Sequence, residues 1–461
     1  MAVGTHSRCV GEWPDVFRSP DARQAYKLQR WDCWHSQVCG SIAAVCCDCC
    51  VCPRNREPKS RAELFLAVGF GSLVEEEEER GIAHIIEHLG FSATKAYENH
   101  AIVKFLESIG APFGACQNAY TSFDRTVYTL HVPTDKEGLV EESLKVLREF
   151  AYFTRISDED LEKERKVVLE EWRESRSAQG RLSERYIQAL CGAGCRYCER
   201  LPIGKEDVIR SVSSQTLRHF YQKFYHPARM AIVAVGDFDE SLVEMQIKEL
   251  FDIPPEEISP LPRCPVAAAP ERPRYAVPNS EGVRVASSTD PELSFAQSMI
   301  DCKRPRTPVR LVRDVRRRIT EDLFHRAFSA RLLRLTLQGP LEGGPRDFFS
   351  AGTDTSDPLP ALSPLSASLA PLPGRVRPAL AGLLRELERI RRFGFHGAEV
   401  LRAKRSMLAE FEEEYIEREQ RPSDGFAEEL TSFFLDEDHA PGVVDRARLG
   451  SVLLPQISVE E

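Results

Sequence analysis

Two stretches far apart in the chain read as copies of one another. "ISDEDLEKERKVVLEEWR" (156–173) and "FHGAEVLRAKRSMLAEFE" (395–412) superpose without a gap at an offset of 239 residues. Leu161 falls on Val400, Leu169 on Leu408, Glu171 on Glu410 and Trp172 on Phe411. A repeated amphipathic helix implies a repeated unit around it, because its apolar stripe must be buried against neighbouring elements. With 461 residues the chain has room for two to four domains with ample core.

The order of elements supports duplication of one α+β unit. "RAELFLAVGFGSLV" reads as a strand, and the acidic run Glu75 to Glu79 as a solvated approach to a helix. "ENHAIVKFLESIG" is an amphipathic helix stopped at Gly110. "GACQNAYTSFDRTVYTLHV" gives two short strands with a turn near Ser122 to Arg125. Two helices follow, the second capped by Ser157 and Asp158, then the helix "SSQTLRHFYQKFY", the buried strand "RMAIVAVGDF" and a closing helix. Eight prolines between Pro254 and Pro278 mark a linker, and beyond it the order strand, helices, strand, helix, helix returns. The divisions expected are a leader over 1–55, a first unit over 56–252, a linker over 253–280 and a second unit over 281–461.

Composition narrows the function classes. A net charge of -10 gives no basic footprint for nucleic acid. No apolar run reaches the roughly 18 residues of a membrane span, so the chain reads as soluble. Eight of the 14 cysteines fall between Cys9 and Cys52, including "CCDCCVC", too dense for paired zinc-finger spacing. The leader is therefore expected to be poorly ordered. Its acids Glu12, Asp15, Asp21 and Asp32 are unlike a transit peptide, so no compartment follows. "CGAGCRYC", with Cys191, Cys195 and Cys198, makes an incomplete metal set and reads as a loop.

The chemistry concentrates in "GIAHIIEHLGFSAT" (81–94). On a helix His84, Glu87 and His88 share one face, while Ile85, Ile86 and Leu89 can point into a core. A hydrolytic zinc site takes three protein ligands and leaves the fourth position to water. The two histidines supply two, and a carboxylate from an acidic helix face must supply the third. "EKERKVVLEEW" offers Glu164 and Glu171, seven apart on one face, with Glu170 turned about 100° away. Glu87 lies between the histidines, placed to take a proton from the zinc-bound water rather than to ligate. The second half has only His325, His396 and His439, none with a histidine at i+4.

On these residues the chain resembles the pitrilysin and insulinase zinc metallopeptidases, whose motif is the inverted His-x-x-Glu-His. The resemblance runs from about residue 51 to the end. It is strongest over "RGIAHIIEHLGFSAT", "SIGAPFGACQNAYTSFDRTVYTLHVP", "LEKERKVVLEEWRE", "RLPIGKEDVIRSVS" and "KFYHPARMAIVAVGDF", in wording most like the PqqL-like branch. It implies two homologous α+β units, each a mostly antiparallel sheet packed with helices, the second without metal. It implies one zinc per chain, held by His84, His88 and Glu171, with Glu87 as general base and Glu164 as a helper beside the ligands. "NAYTS" looks like the edge strand along which the family binds substrate, with Asn118, Ala119 and Tyr120 in contact. The implied activity is endopeptidase cleavage of peptides or unfolded polypeptide; the alternative is a non-catalytic chamber or assembly subunit, which the family also contains. Family enzymes use four units, so this two-unit chain is expected to pair as a homodimer or to need further C-terminal units.

Overall fold

The computed structural model describes residues 50–51, 55–192, 194–253, 270–279, 282–338, 346–355, 357–438 and 442–460. Most of the cysteine-rich leader and residues 254–269 of the proline-rich linker lie outside the described residues.

The first unit runs β1 (Cys50–Val51), β2 (Arg61–Val68), α1 (Ile82–Ser92), α2 (Ala101–Ser108), β3 (Gln117–Thr121), β4 (Thr126–Pro133), α3 (Leu139–Tyr152) and α4 (Asp158–Glu174). It continues with α5 (Ala178–Cys191), α6 (Ser214–Phe224), β5 (Met230–Gly236) and α7 (Glu240–Phe251). Its sheet has the order β1-β5-β2-β4-β3, with β3 at one edge. All neighbours are antiparallel except β1, which pairs in parallel with β5 through Cys50 and Ile232 and through Val51 and Val233. The sheet thus takes in two residues of the segment read as leader. A two-residue strand has no periodicity to announce it.

The second unit runs β6 (Ser298–Cys302), α8 (Val312–Gln338), β7 (Phe348–Thr355), β8 (Leu365–Pro371), α9 (Val376–Phe393), α10 (Gly397–Ile416), α11 (Ser423–Asp436) and α12 (Gly442–Leu453). Its sheet is antiparallel in the order β6-β8-β7. The repeat legible in the sequence is a repeat of structure. β4 and β8 begin 239 residues apart, at Thr126 and Leu365, and α4 and α10 also begin 239 apart, at Asp158 and Gly397.

Both faces of the first sheet are covered, which explains the unbroken apolar run of β2. On one face Leu64, Leu66 and Val68 meet Ile85, Ile86 and Leu89 of α1, Leu144 and Leu147 of α3, and Leu217 of α6. On the other, Phe65, Ala67, Val127, Val233 and Val235 meet Ala427 and Leu435 of α11. That helix follows the second unit's repeated elements in the chain, yet it packs on the first unit's sheet. Arg125 pairs with Asp436 at its end, and Asn55 donates to Ser423 Oγ at its start over 3.2 Å. The described part of the linker lies along the same junction, where Arg272 pairs with Asp124 at 3.0 Å and Tyr275 and Val277 pack into an apolar cluster. Among the described residues no helix is long and apolar enough to cross a membrane.

Leu435 is 1% exposed. Truncating a buried leucine to alanine costs about 2–5 kcal/mol. Denaturant unfolding of Leu435→Ala, followed by a probe in the first unit, should show a loss in that range. A loss below about 0.5 kcal/mol, the size of an ordinary surface substitution, would mean that α11 does not close the sheet.

Candidate metal centre

Helix α1 is held at its first turn by a buried acid. The Glu75 carboxylate accepts from the backbone N–H groups of Gly81 and Ala83, both at 2.9 Å, and so satisfies two of the amides that a helix start leaves unpaired. Burial pushes this carboxyl up to about 8, against the pull of those two amides and of the Arg200 charge. Here the structure corrects the sequence reading. Glu76 to Glu78 are exposed, as expected of the acidic run, but Glu75 at its head is fully buried. The turn into α1 also needs two glycines. Gly81 and Gly204 have φ of +105° and +79°, and a Cβ on Gly204 would come within 2.5 Å of the Gly81 Cα.

One helical turn then brings the motif to its partner helix. Helix α4 starts where Ser157 Oγ accepts from the Asp160 N–H at 3.1 Å, and it packs with its Glu164 and Glu171 face toward α1. His84 Nε2 lies 3.2 Å from His88 Nε2 and 3.3 Å from Glu171 Oε2, and His88 Nε2 lies 3.4 Å from the same oxygen. Among the described residues these three form the one group of three or more histidine, cysteine or acidic side chains close enough to share an ion. The triangle has the size zinc requires. Its centre is about 1.9 Å from each corner, and a tetrahedron with bonds of about 2.1 Å has corners about 3.4 Å apart. The donor set, two imidazole nitrogens and one carboxylate oxygen, is also that of hydrolytic zinc sites.

The electrostatics fit a cation in the same place. Burial pushes His84 down to about 4, and the neighbouring His88 charge adds to this while Glu171 opposes it. For His88, burial alone would lower the imidazole, but contacts with Glu164 and Glu171 and the charges of Glu171 and Glu87 carry it up to about 10. His88 in turn holds Glu171 below the usual carboxylate range, against the effect of burial. Without a metal, a proton on His88 balances part of the negative charge of these acids.

The remaining expected residues fall around this triangle. Glu164 is 5% exposed, with Oε2 3.7 Å from His88 Nδ1 and Oε1 3.8 Å from His100 Nε2, so it lies behind the histidine rather than in the triangle. Glu87 projects from α1 toward β3, where Thr121 Oγ1 donates to its Oε2 at 2.6 Å. Burial pushes the Glu87 carboxyl up to about 7, partly offset by that hydrogen bond and by the His88 charge. Thr121 and His100 were not singled out in the sequence. Strand alternation placed Thr121 on the inward face with Gln117 and Ala119, but nothing local ties it to Glu87, 34 residues earlier.

Strand β3 offers an open edge beside the acid. Backbone bonds join Cys116 to His131 and Ser122 to Arg125, so the two-residue alternation aims Asn118 and Tyr120 at β4. Ala119 and Thr121 then point their N–H and C=O groups away from the sheet. The Ala119 N–H is met by its own neighbour, Asn118 Oδ1, at 2.9 Å. Tyr120 is 48% exposed on the outer face.

The second unit shows what this helix pair becomes without the polar cluster. At the repeat offset, Ala403 and Glu410 stand where the first unit has Glu164 and Glu171, and on the facing helix His325 meets Thr353 and Thr355 of β7 at 2.9 and 2.7 Å. Leu323, Ala327 and Ala403 belong to one apolar cluster, and Arg326 is ion-paired with Glu410, the counterpart of Glu171.

A family model described as insulinase, peptidase family M16, matches residues 50–194, and one described as the peptidase M16 inactive domain matches residues 211–298. A protein named zinc protease PQQL-like from Arabidopsis thaliana is 39% identical over 409 residues, covering 88% of this chain and 38% of that protein. The probable zinc protease PqqL of Haemophilus influenzae is 36% identical over 196 residues, 42% of this chain and 21% of that protein. Among solved structures, the first half of the periplasmic protease PqqL from Escherichia coli superposes with a TM-score of 0.82 at 25% identity, covering 91% of this chain and 87% of that one. The chain thus spans less than half the length of these curated relatives. It belongs to the insulinase family of peptidases, M16, and within it to the PqqL-like branch.

Proposed function

We propose that this chain is the zinc-holding part of a metalloendopeptidase, with His84, His88 and Glu171 as ligands in the first unit and a second unit that holds no ion. The observation that carries this reading is the triangle of donor atoms 3.2 to 3.4 Å on a side, with a buried acid and an open strand edge beside it. When bound there, zinc supplies Lewis-acid activation of water and polarisation of the scissile carbonyl. Glu87 accepts the proton of the attacking water and returns it to the leaving amine. Its burial favours proton uptake by the carboxylate, and the Thr121 hydrogen bond opposes it. Thr121 fixes the direction of the carboxylate, and Glu164 holds the His88 ring through Nδ1. A peptide adds to β3 as a further strand, bonding to the N–H and C=O groups of Ala119 and Thr121, while Asn118 swings off the Ala119 N–H and Tyr120 contacts a side chain. Such recognition reads backbone rather than sequence and requires an extended segment, so the substrate is a peptide or an unfolded stretch of protein.

The relatives are longer than this chain, which supports a requirement for further units, supplied by a second copy or by the rest of a longer protein, to complete the chamber. Activity is therefore to be measured on the chain alone and with such units added in trans.

Metal analysis should give about one zinc per chain, as expected for one three-ligand site. His88→Ala and Glu171→Gln should abolish it. Glu164→Gln should weaken zinc affinity about 10–100-fold, the usual effect of losing a group that orients a ligand. Zinc retained at one equivalent in His88→Ala would overturn the ligand assignment, and the reverse order of the two glutamates would make Glu164 the ligand.

Glu87→Gln keeps the shape of the side chain but cannot accept the proton. It should retain zinc and lose about 10²–10⁴-fold in peptide hydrolysis. Thr121→Val should also retain zinc and lose about tenfold, the worth of one hydrogen bond to a charged group. Wild type that binds zinc yet cleaves no peptide, alone or with added units, would leave the chamber-subunit reading. Equal turnover by wild type and Glu87→Gln would expose a contaminating protease.

A further inference from the structure

Far from the triangle, three cysteines meet at the junction of the two units. Cys191 ends α5, Cys195 caps the one-turn helix Arg196–Glu199, and Cys198 lies within that turn. All three are free thiols; Cys191 and Cys195 are buried and Cys198 is partly exposed. The turn folds back on α5, so that Cys198 Sγ lies 3.5 Å from the Gly192 carbonyl and 3.7 Å from that of Ile187, on either side of Cys191. Cys191 and Cys195 are buried in one cluster, and Cys198 packs against it. They share a cluster with Leu73, Phe123 and Tyr197 of the first unit and Leu359 and Leu362 of the second. Two cations stand at the mouth of this loop. Arg284 and Lys303 both donate to the Leu190 carbonyl, at 3.2 and 3.0 Å. Gly192, at φ +88°, makes the approach feasible, since a Cβ there would come within 2.7 Å of the Arg284 guanidinium.

We propose that Cys191 and Cys198 form a reversible disulfide at this junction. Cys198 is the entry point because it alone of the three is reachable from solvent. Its thiolate attacks one sulfur of a small disulfide such as oxidised glutathione, forming a mixed disulfide and expelling one glutathione thiolate. The Cys191 thiolate then attacks the Cys198 sulfur, closes the protein disulfide and expels the second glutathione. Two electrons pass to the glutathione, and the two protein thiol protons end on the two released thiols. Burial raises the Cys198 thiol above its ordinary value, and the Arg284 charge pulls it part of the way back. Exchange is therefore slow near neutrality and quickens as the pH rises.

The position gives the bond a consequence. Arg196 donates to the carbonyls of Leu73 and Glu75 at 2.6 and 2.7 Å, and Arg200 donates to the latter at 2.8 Å. The turn that carries Cys198 thus grips the segment whose Glu75 carboxylate starts α1. A bond from this turn to α5 fixes the strap that positions the motif helix.

Trypsin offers a direct test, because cleavage after Arg196 separates Cys198 from Cys191 and Cys195. The full chain is equilibrated with an excess of oxidised over reduced glutathione at about pH 8, near the ordinary thiol range, then alkylated and digested. The expected product is peptide 186–196 joined to peptide 197–200, with two fewer alkylated cysteines in this region, and its loss after dithiothreitol. In Cys195→Ser, which leaves Cys191 as the one partner in peptide 186–196, the joined peptides should persist, and in Cys198→Ser they should be absent; their loss in Cys195→Ser would overturn the assignment to Cys191. Three alkylated cysteines after oxidation would overturn the proposal. So would a bond within peptide 186–196, or one from either cysteine to the leader.

Discussion

The central strands of the first unit's sheet, β2 and β5, have no wet face. Helices α1, α3 and α6 cover one side, and α11 covers the other with Ala427 and Leu435. Every polar group brought near such a sheet must find its partner inside the protein, because water is not available to supply one. This constraint decides where the chemistry lies. The imidazoles cannot simply be buried beneath α1, so they come to the margin where α1 meets α4, facing acids rather than apolar side chains. Glu87 faces the only neighbouring strand that ends the sheet, β3, and takes its hydrogen bond from Thr121 there.

Orientation of that helix is fixed at its start rather than along its length. Glu75 bonds the first amides of α1, Arg196 and Arg200 hold the backbone just ahead of it, and Gly81 and Gly204 allow the two turns to touch. A shift of one residue here would rotate the metal-facing stripe by about 100°, so a buried carboxylate with two amide donors is a cap with a positional purpose.

Much of this was legible in the sequence. The spacing of His84, Glu87 and His88, and of Glu164 and Glu171, is short-range information, since helical periodicity alone decides which side chains share a face. The offset of 239 was legible for the same reason, being a comparison of two local patterns. What escaped were partners chosen by tertiary contact. Glu75 looked like one more member of a solvated acidic run, and its neighbours Glu76 to Glu78 are indeed exposed. Thr121 sits just beyond the three residues expected to meet substrate. Cys191 and Cys198 read as loop because their closeness depends on the turn at Arg196–Glu199 folding back onto α5.

The two units, built on one pattern, answer the same electrostatic problem differently. An acid on the partner helix, Glu171 in one unit and Glu410 in the other, faces the helix that packs across from it. In the second unit Arg326 neutralises Glu410 directly, and Ala403, at the repeat offset from Glu164, joins Leu323 and Ala327 in an apolar cluster. In the first unit the facing positions are histidines, with Glu164 behind one of them and Glu87 alongside, and no arginine reaches Glu171 among the contacts described. A proton on His88 can balance part of this charge, but one proton spread over three acids leaves the cluster short. On the proposed function, a divalent ion at the centre of the triangle would balance it better. The difference between the units therefore lies in the side chains that face Glu171 and Glu410 across a shared helix pair.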